Sequence, residues 1–200
     1  MANTVNLSNE KQLFENSYNK IDRRIIVCAG TGCIANGSLK IHDKLVDEIK
    51  AKDLAIDIEL DYEEPKEGLL ISRSGCQGFC QVGPLITILP DNIMYCQVKE
   101  DDVDRIIDET LIGNEVIEDL LYKDVSSGKR YKGTEEIPFY TRQQRTVIKD
   151  CGFINPEDIR EYIGGNGYEG ARRAFSEMTS AEVCQLVKDS GLRGRGGGGF

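Results

Sequence analysis

The cysteines constrain this chain most. Cys28 and Cys33 form a C-x4-C pair (CAGTGC), and Cys76 and Cys80 form a C-x3-C pair (CQGFC). Each pair follows a strand-like run, Arg23–Ala29 in one case and Leu69–Arg73 in the other. Each loop also carries glycine, Gly30 and Gly32 in the first and Gly75 and Gly78 in the second. Two thiolates from each of two loops can clamp one inorganic core, and glycine lets backbone N–H groups approach charged sulfur. A 2Fe–2S core takes four thiolates, and its one-electron chemistry needs no protein acid or base. That suits a chain with a single histidine. Zinc also accepts four thiolates, although structural zinc more often uses C-x2-C knuckles. A redox dithiol is a weaker reading because neither pair is C-x-x-C. A Cys–His nucleophile is weaker still, since His42 falls on a predicted helix with no orienting partner in view. The other three of the seven cysteines, Cys96, Cys151 and Cys184, have no neighbour at chelating spacing and read as small buried hydrophobes.

Composition narrows the setting. The N-terminal stretch is polar and lacks the apolar core of a secretory signal. No run approaches the ~18 apolar residues of a membrane span. An odd cysteine count forbids complete internal pairing, and a cytoplasmic, reducing location is expected. The net charge of −9 argues against a nucleic-acid binder that works by neutralising phosphate.

Periodicity predicts a helix over 8–22 capped by Ser8, a buried strand at Arg23–Ala29 and a glycine-containing loop at Gly30–Gly37. A helix from a Ser38 cap to Lys52 follows, with Leu39, Leu45, Val46 and Ile49 at core spacing. A strand is predicted at Ala55–Asp61, then Leu69–Arg73, then a hairpin of Leu85–Leu89 and Met94–Val98 turning at Pro90–Asn92. A helix over Asp102–Ile112 stops at Gly113. This order implies an α/β domain of thioredoxin-like size. Residues 1–120 hold 12 basic and 23 acidic side chains, whereas 121–200 hold 13 and 11. Such asymmetry suggests two units with different partners. The expected division is 1–120, a linker or arm over 121–148, and a second unit over 149–200. In that unit Asn155–Pro156–Glu157–Asp158 reads as a helix start with Asn155 as the cap. Thr179–Ser180–Ala181–Glu182 reads as a capping box.

The chain closes on GLRGRGGGGF. Gly194, Gly196 and Gly199 formally satisfy G-x-G-x-x-G, but they follow a helix rather than a strand, so a dinucleotide fold is not implied by spacing. Arg193 and Arg195 interleaved with bare amides could cradle phosphate.

GLRGRGGGGF, preceded by TSAEVCQLVKDS, closely resembles the glycine-rich motif of the NADH- and FMN-binding subunit of complex I, a module shared with NAD(P)-linked hydrogenases and formate dehydrogenases. GFINPEDIREYIGGNGYEGARRAF resembles its helical lead-in, and the two cysteine pairs resemble those of thioredoxin-like 2Fe–2S ferredoxins. The two together resemble the beta subunit of electron-bifurcating or NADP-reducing iron hydrogenases. The resemblance implies a thioredoxin-like 2Fe–2S ferredoxin domain, a linker and the start of an FMN/NAD(H)-binding domain. It implies that Cys28, Cys33, Cys76 and Cys80 ligate the 2Fe–2S cluster. Gly191, Leu192, Arg193, Gly194, Arg195, Gly196, Gly197, Gly198, Gly199 and Phe200 would contact FMN and NAD(H) or NADP(H). Gly198 departs from the family's usual Ala. The implied partners are other subunits of a hydrogenase or dehydrogenase complex, NAD(P)H and a ferredoxin. Because the glycine motif is cut short, the chain is expected to be the N-terminal part of a longer polypeptide, with a 4Fe–4S motif beyond Phe200. No catalytic side chain is assigned.

Overall fold

The computed structural model describes residues 5–194 and 196. Five strands form one mixed sheet in the order β2-β3-β1-β4-β5. They are β1 (Ile21–Cys28), β2 (Ile56–Asp57), β3 (Gly68–Ser74), β4 (Ile86–Leu89) and β5 (Ile93–Tyr95). β1 pairs in parallel with β3, and β3 with β2, while β4 and β5 add an antiparallel hairpin beside β1. A strand buried on both faces reads as a continuous apolar run rather than an alternating one. Ile25–Cys28 is such a stretch, buried throughout, with the buried Arg24 just before it.

Three helices precede β2 in the chain, and the third of them packs on the sheet. α1 (Leu7–Tyr18) is capped by Asn6, whose side chain accepts from the Ser8 and Asn9 N–H groups. Ser8 is therefore not the cap, and the helix ends four residues short of the predicted Asp22. α2 (Thr31–Ala35) forms inside the predicted glycine loop. α3 (Ser38–Ala51) starts from Gly37 at φ +92°, and Ser38 is a buried helical residue rather than the cap. It buries Ile41, Leu45, Val46 and Ile49 against Ile25, Val27, Ile71, Ile86 and Ile88 of the sheet. Leu39, placed in the core by spacing, is only half-buried. After β5, the short α4 (Val103–Arg105) continues as a π-helical stretch, Ile106–Ile112. The predicted strand over Ala55–Asp61 contracts to β2, and further on the Asp61 carboxylate turns the chain by accepting from the Glu63 and Glu64 N–H groups.

The stretch predicted as an extended linker carries a ribbon of β6 (Tyr122–Lys123) and β7 (Arg130–Tyr131) and a short helix, α5 (Pro138–Thr141). Ile137 and Tyr140 lie in one apolar cluster with Cys28, Cys33, Phe79, Leu85, Met94 and Cys96. Beyond it come α6 (Ile159–Gly164), α7 (Glu169–Ser176) and α8 (Ser180–Asp189). α6 packs on α1, where Arg160 Nε meets Glu10 Oε2 at 2.6 Å. Its cap is Asp158, not Asn155, whose side chain instead accepts from the Glu157 N–H at 3.1 Å. α8 starts at the Thr179/Glu182 capping box read from the sequence. Among the described residues, no helix is long and apolar enough to cross a membrane.

Candidate metal centre

Parallel pairing of β1 and β3 brings Cys28 level with Ser74, so both strands deliver their loops at the same end of the sheet. The Ala29 N–H donates to the Ser74 carbonyl at 2.9 Å and fixes the two exits side by side. The first loop curls into α2, which carries Cys33. The second turns through Gly78 at φ +88° into a single 3-10 turn, Cys80–Val82. The Cys76 and Cys80 sulfurs lie 3.6 Å apart, and Cys28 and Cys33 are hydrogen-bonded partners. The pairs differ in setting: Cys28 and Cys33 are buried, whereas Cys76 and Cys80 are exposed.

Glycines lock one loop against the other. A Cβ on Gly30 would stand 2.8 Å from Cys76 Cβ, and one on Gly83 would stand 2.6 Å from Cys33 Sγ. A Cβ on Gly32 would reach only ordinary contact with Cys80, at 3.4 Å. Gly30→Ala should therefore force the two cysteine loops apart, at a cost of ~1–3 kcal/mol for overpacking. Gly32→Ala should be tolerated. Thermal melts and the rate of iron loss to a chelator check the contrast, and equal behaviour of the two variants would contradict it.

The electrostatics split the inner pair, making one thiol more acidic and its neighbour less so. The Cys33 thiol, together with the Gln77 and Gly30 N–H groups, brings Cys28 down to about 6 against the opposing effect of burial. Cys33 is pushed up, chiefly because it donates to Cys28. Cys80 is raised by its hydrogen bond with Cys76. A thiolate holding a neighbouring thiol's proton is poised for a cation that displaces that proton.

The donor set fits a dinuclear thiolate cluster. Two sulfurs on one tetrahedral metal with bonds of about 2.3 Å sit roughly 3.8 Å apart, close to the 3.6 Å of Cys76 and Cys80. The thiols are arranged as two pairs, as in the four-thiolate set of a core with two metals. Backbone N–H groups already face the sulfurs, Gly78 toward Cys76 at 3.3 Å and Gln77 and Gly30 toward Cys28. Hydrogen bonds of this kind set cluster potentials.

Residues 14–111 match the family of thioredoxin-like 2Fe–2S ferredoxins. The fold of this part of the chain is the thioredoxin-like 2Fe–2S ferredoxin fold. A relative from Aquifex aeolicus (strain VF5), a 2Fe–2S ferredoxin, is 40% identical over 60 residues, covering 30% of this chain and 51% of its own. The NADP-reducing hydrogenase subunit HndC of Solidesulfovibrio fructosivorans is 56% identical over 59 residues, 30% of this chain and 12% of that subunit. An NADH-quinone oxidoreductase subunit of Escherichia coli (strain K12) is 51% identical over 45 residues, 22% of this chain and 10% of that protein. The matches thus span about half of the ferredoxin and about a tenth of each larger protein.

Around the two cysteine pairs the structure adds a second wall that spacing alone does not reveal. Gly83, the buried Gln77 and the aromatic residues Phe79 and Tyr140 all frame the pairs. The available signal is the apolar IPFY stretch at 137–140 within an otherwise polar segment. Cys96 is buried, as expected, and burial pushes its thiol up to about 12. Cys151 and Cys184 are exposed, contrary to the expectation of burial, because the helix carrying Cys184 buries none of its residues. His42 is a buried helix residue beside Asp43, with Nδ1 to Oδ1 at 3.1 Å. In the glycine-rich stretch, Gly191 turns the chain after α8 at φ +64°, and Leu192, Arg193, Gly194 and Gly196 are exposed. Arg195, Gly197, Gly198, Gly199 and Phe200 lie outside the described residues.

Proposed function

We propose that this chain carries single electrons through a 2Fe–2S cluster held by Cys28, Cys33, Cys76 and Cys80, as part of an NAD(P)H-linked flavin and iron–sulfur oxidoreductase of the bifurcating-hydrogenase type. The observation that carries the reading is the interlocking of two thiol pairs, one buried and one exposed, across two glycine-bearing loops. When bound, the cluster supplies one-electron transfer, and FMN with a nicotinamide supplies hydride chemistry. Cys28 and Cys33 anchor the inner side of the site. Cys76 and Cys80 present the outer side to a partner subunit. The excess of acidic side chains over 1–120 adds negative potential around an anionic centre and favours its oxidised form.

In this reading residues 1–120 are the electron-transfer domain, 121–148 connect it, and 149–200 begin the FMN/NAD(H)-binding domain. Gly191–Phe200 lie toward the flavin and nucleotide, and a 4Fe–4S motif belongs to the complete polypeptide. Relatives among hydrogenase and NADH-quinone oxidoreductase subunits support this placement. A cytoplasmic complex with other hydrogenase or dehydrogenase subunits, receiving electrons from NAD(P)H or ferredoxin, is the setting that fits.

The test is anaerobic purification of the full chain with iron and sulfide supplied. Brown protein with two irons per chain, giving an electron spin resonance signal on one-electron reduction, is the expected result. Colourless protein holding stoichiometric zinc under those conditions would overturn the reading.

A further inference from the structure

The cluster site carries a hydrogen-bonded relay that starts outside the ferredoxin match. Tyr140 lies on α5, beyond residue 111 where that match ends. Its hydroxyl donates to the Gln77 carbonyl at 3.2 Å. That carbonyl belongs to the Gln77–Gly78 peptide, whose N–H donates to Cys76 Sγ at 3.3 Å. One peptide group thus accepts from the phenol at its oxygen and donates to a cluster thiol at its nitrogen. Hydrogen bonds in series polarise one another, so donation into a carbonyl makes the N–H of the same peptide a stronger donor.

The relay is held in place from several sides. Gln77 is buried, and its side-chain oxygen accepts from Thr87 Oγ1 at 3.3 Å. The Tyr140 ring stands edge-on to Phe79 at 5.7 Å and to Phe139 at 5.2 Å. A phenol O–H is a donor at neutral pH, and the Gln77 carbonyl can only accept.

We infer that Tyr140 is a positioning residue for the cluster site, acting on Cys76 through the Gln77–Gly78 peptide and raising the reduction potential of the bound cluster. The inference rests on the ligand assignment above. Its sign follows from charge: reduction adds an electron to the thiolate-bound core, and a stronger N–H···S bond stabilises that added negative charge more than it stabilises the oxidised form.

The test uses the full chain, loaded anaerobically with iron and sulfide, with midpoint potential and electron spin resonance as readouts. Tyr140→Phe keeps the ring and its packing but loses the donor, and should shift the potential to more negative values with full iron content. Site-specific 3-fluorotyrosine at position 140, a stronger donor of nearly the same shape, should shift it the other way. Tyr122→Phe is the packing control, since that ring also lies on Phe79, at 4.9 Å, and it should leave the potential in place. Equal potentials in all four proteins at full iron content would overturn the role of Tyr140 while leaving the ligand assignment standing. The same downward shift in Tyr122→Phe and Tyr140→Phe would reduce the effect to packing. Absence of any cluster in the unsubstituted chain would remove both readings together.

Discussion

Cys28→Ser, Cys33→Ser, Cys76→Ser and Cys80→Ser are each expected to strip most of the iron and visible absorption from the protein, whereas Cys96→Ser, Cys151→Ser and Cys184→Ser keep both. Four thiolates are the full ligand requirement of a 2Fe–2S core, so losing one leaves an iron with an open position. The two pairs should not fail alike. Cys28 and Cys33 are each 1% exposed, so serine there replaces a thiolate by a hydroxyl at a buried position that solvent reaches less readily. Cys76 and Cys80 face solvent, so a serine or water oxygen can fill the vacant place and leave a residual cluster with an altered spectrum. Cys96→Ser buries a hydroxyl where a thiol sat at 7% exposure, which costs ~1–3 kcal/mol if it stays unsatisfied, without bleaching the cluster. Iron analysis, visible absorption and thermal melts on the seven variants separate ligand loss from destabilisation. Loss of colour in the Cys96, Cys151 or Cys184 variant, with retention in one of the other four, would overturn the assignment.

The features legible in the sequence are those fixed by short-range chemistry. The Arg23–Ala29 run declares a strand because few polar atoms interrupt it, and the observed β1 covers most of it. The hairpin is signalled by its turn residues, and the Thr179/Glu182 box by reciprocal side-chain and backbone bonds that need no distant partner. Helix caps are misplaced where two candidates stand close together. Asn6 displaces Ser8, and Asp158 displaces Asn155, whose N–H is instead taken by Glu161 Oε2 at 2.6 Å. Both choices are made by short-range hydrogen bonds, but Asn, Asp and Ser are nearly equal as caps, so composition alone does not rank them. The metal centre differs in that its missing wall is long-range. Spacing and glycine mark the four cysteines, but Gly83 against Cys33 and Tyr140 against Gln77 exist only once the chain has folded back.

Breaking the buried ion pair between the sheet and α6 is expected to destabilise the chain more than any other single change away from the cysteines. Arg24 on β1 and Glu161 on α6 are each 4% exposed. They meet as a fork, with Arg24 Nη1 on Glu161 Oε1 and Nη2 on Oε2, the latter at 3.1 Å. Arg24 Nε donates to Ser72 Oγ at 2.8 Å, so the guanidinium also ties β1 to β3. Removing one member of such a pair costs ~3–5 kcal/mol, because the other is left charged and desolvated, whereas replacing both by apolar groups is often neutral or better. Glu161→Ala and Arg24→Met should each lower the denaturation midpoint sharply, and Arg24→Met with Glu161→Leu should recover most of the loss. Single variants within ~1 kcal/mol of the parent would mean that the pair behaves as an exposed surface bridge. A double variant as weak as either single one would mean that the hydrogen bonds to Ser72 and Asn155 matter more than the charges. β1 ends at Cys28 and β3 leads to Cys76, so the clamp that closes α6 over Arg24 and Ser72 also fixes the strands that present both thiol pairs. In the folded fraction of each variant iron content should stay full, but its release to a chelator should quicken in step with the lost stability, because opening of these strands is what exposes the buried pair.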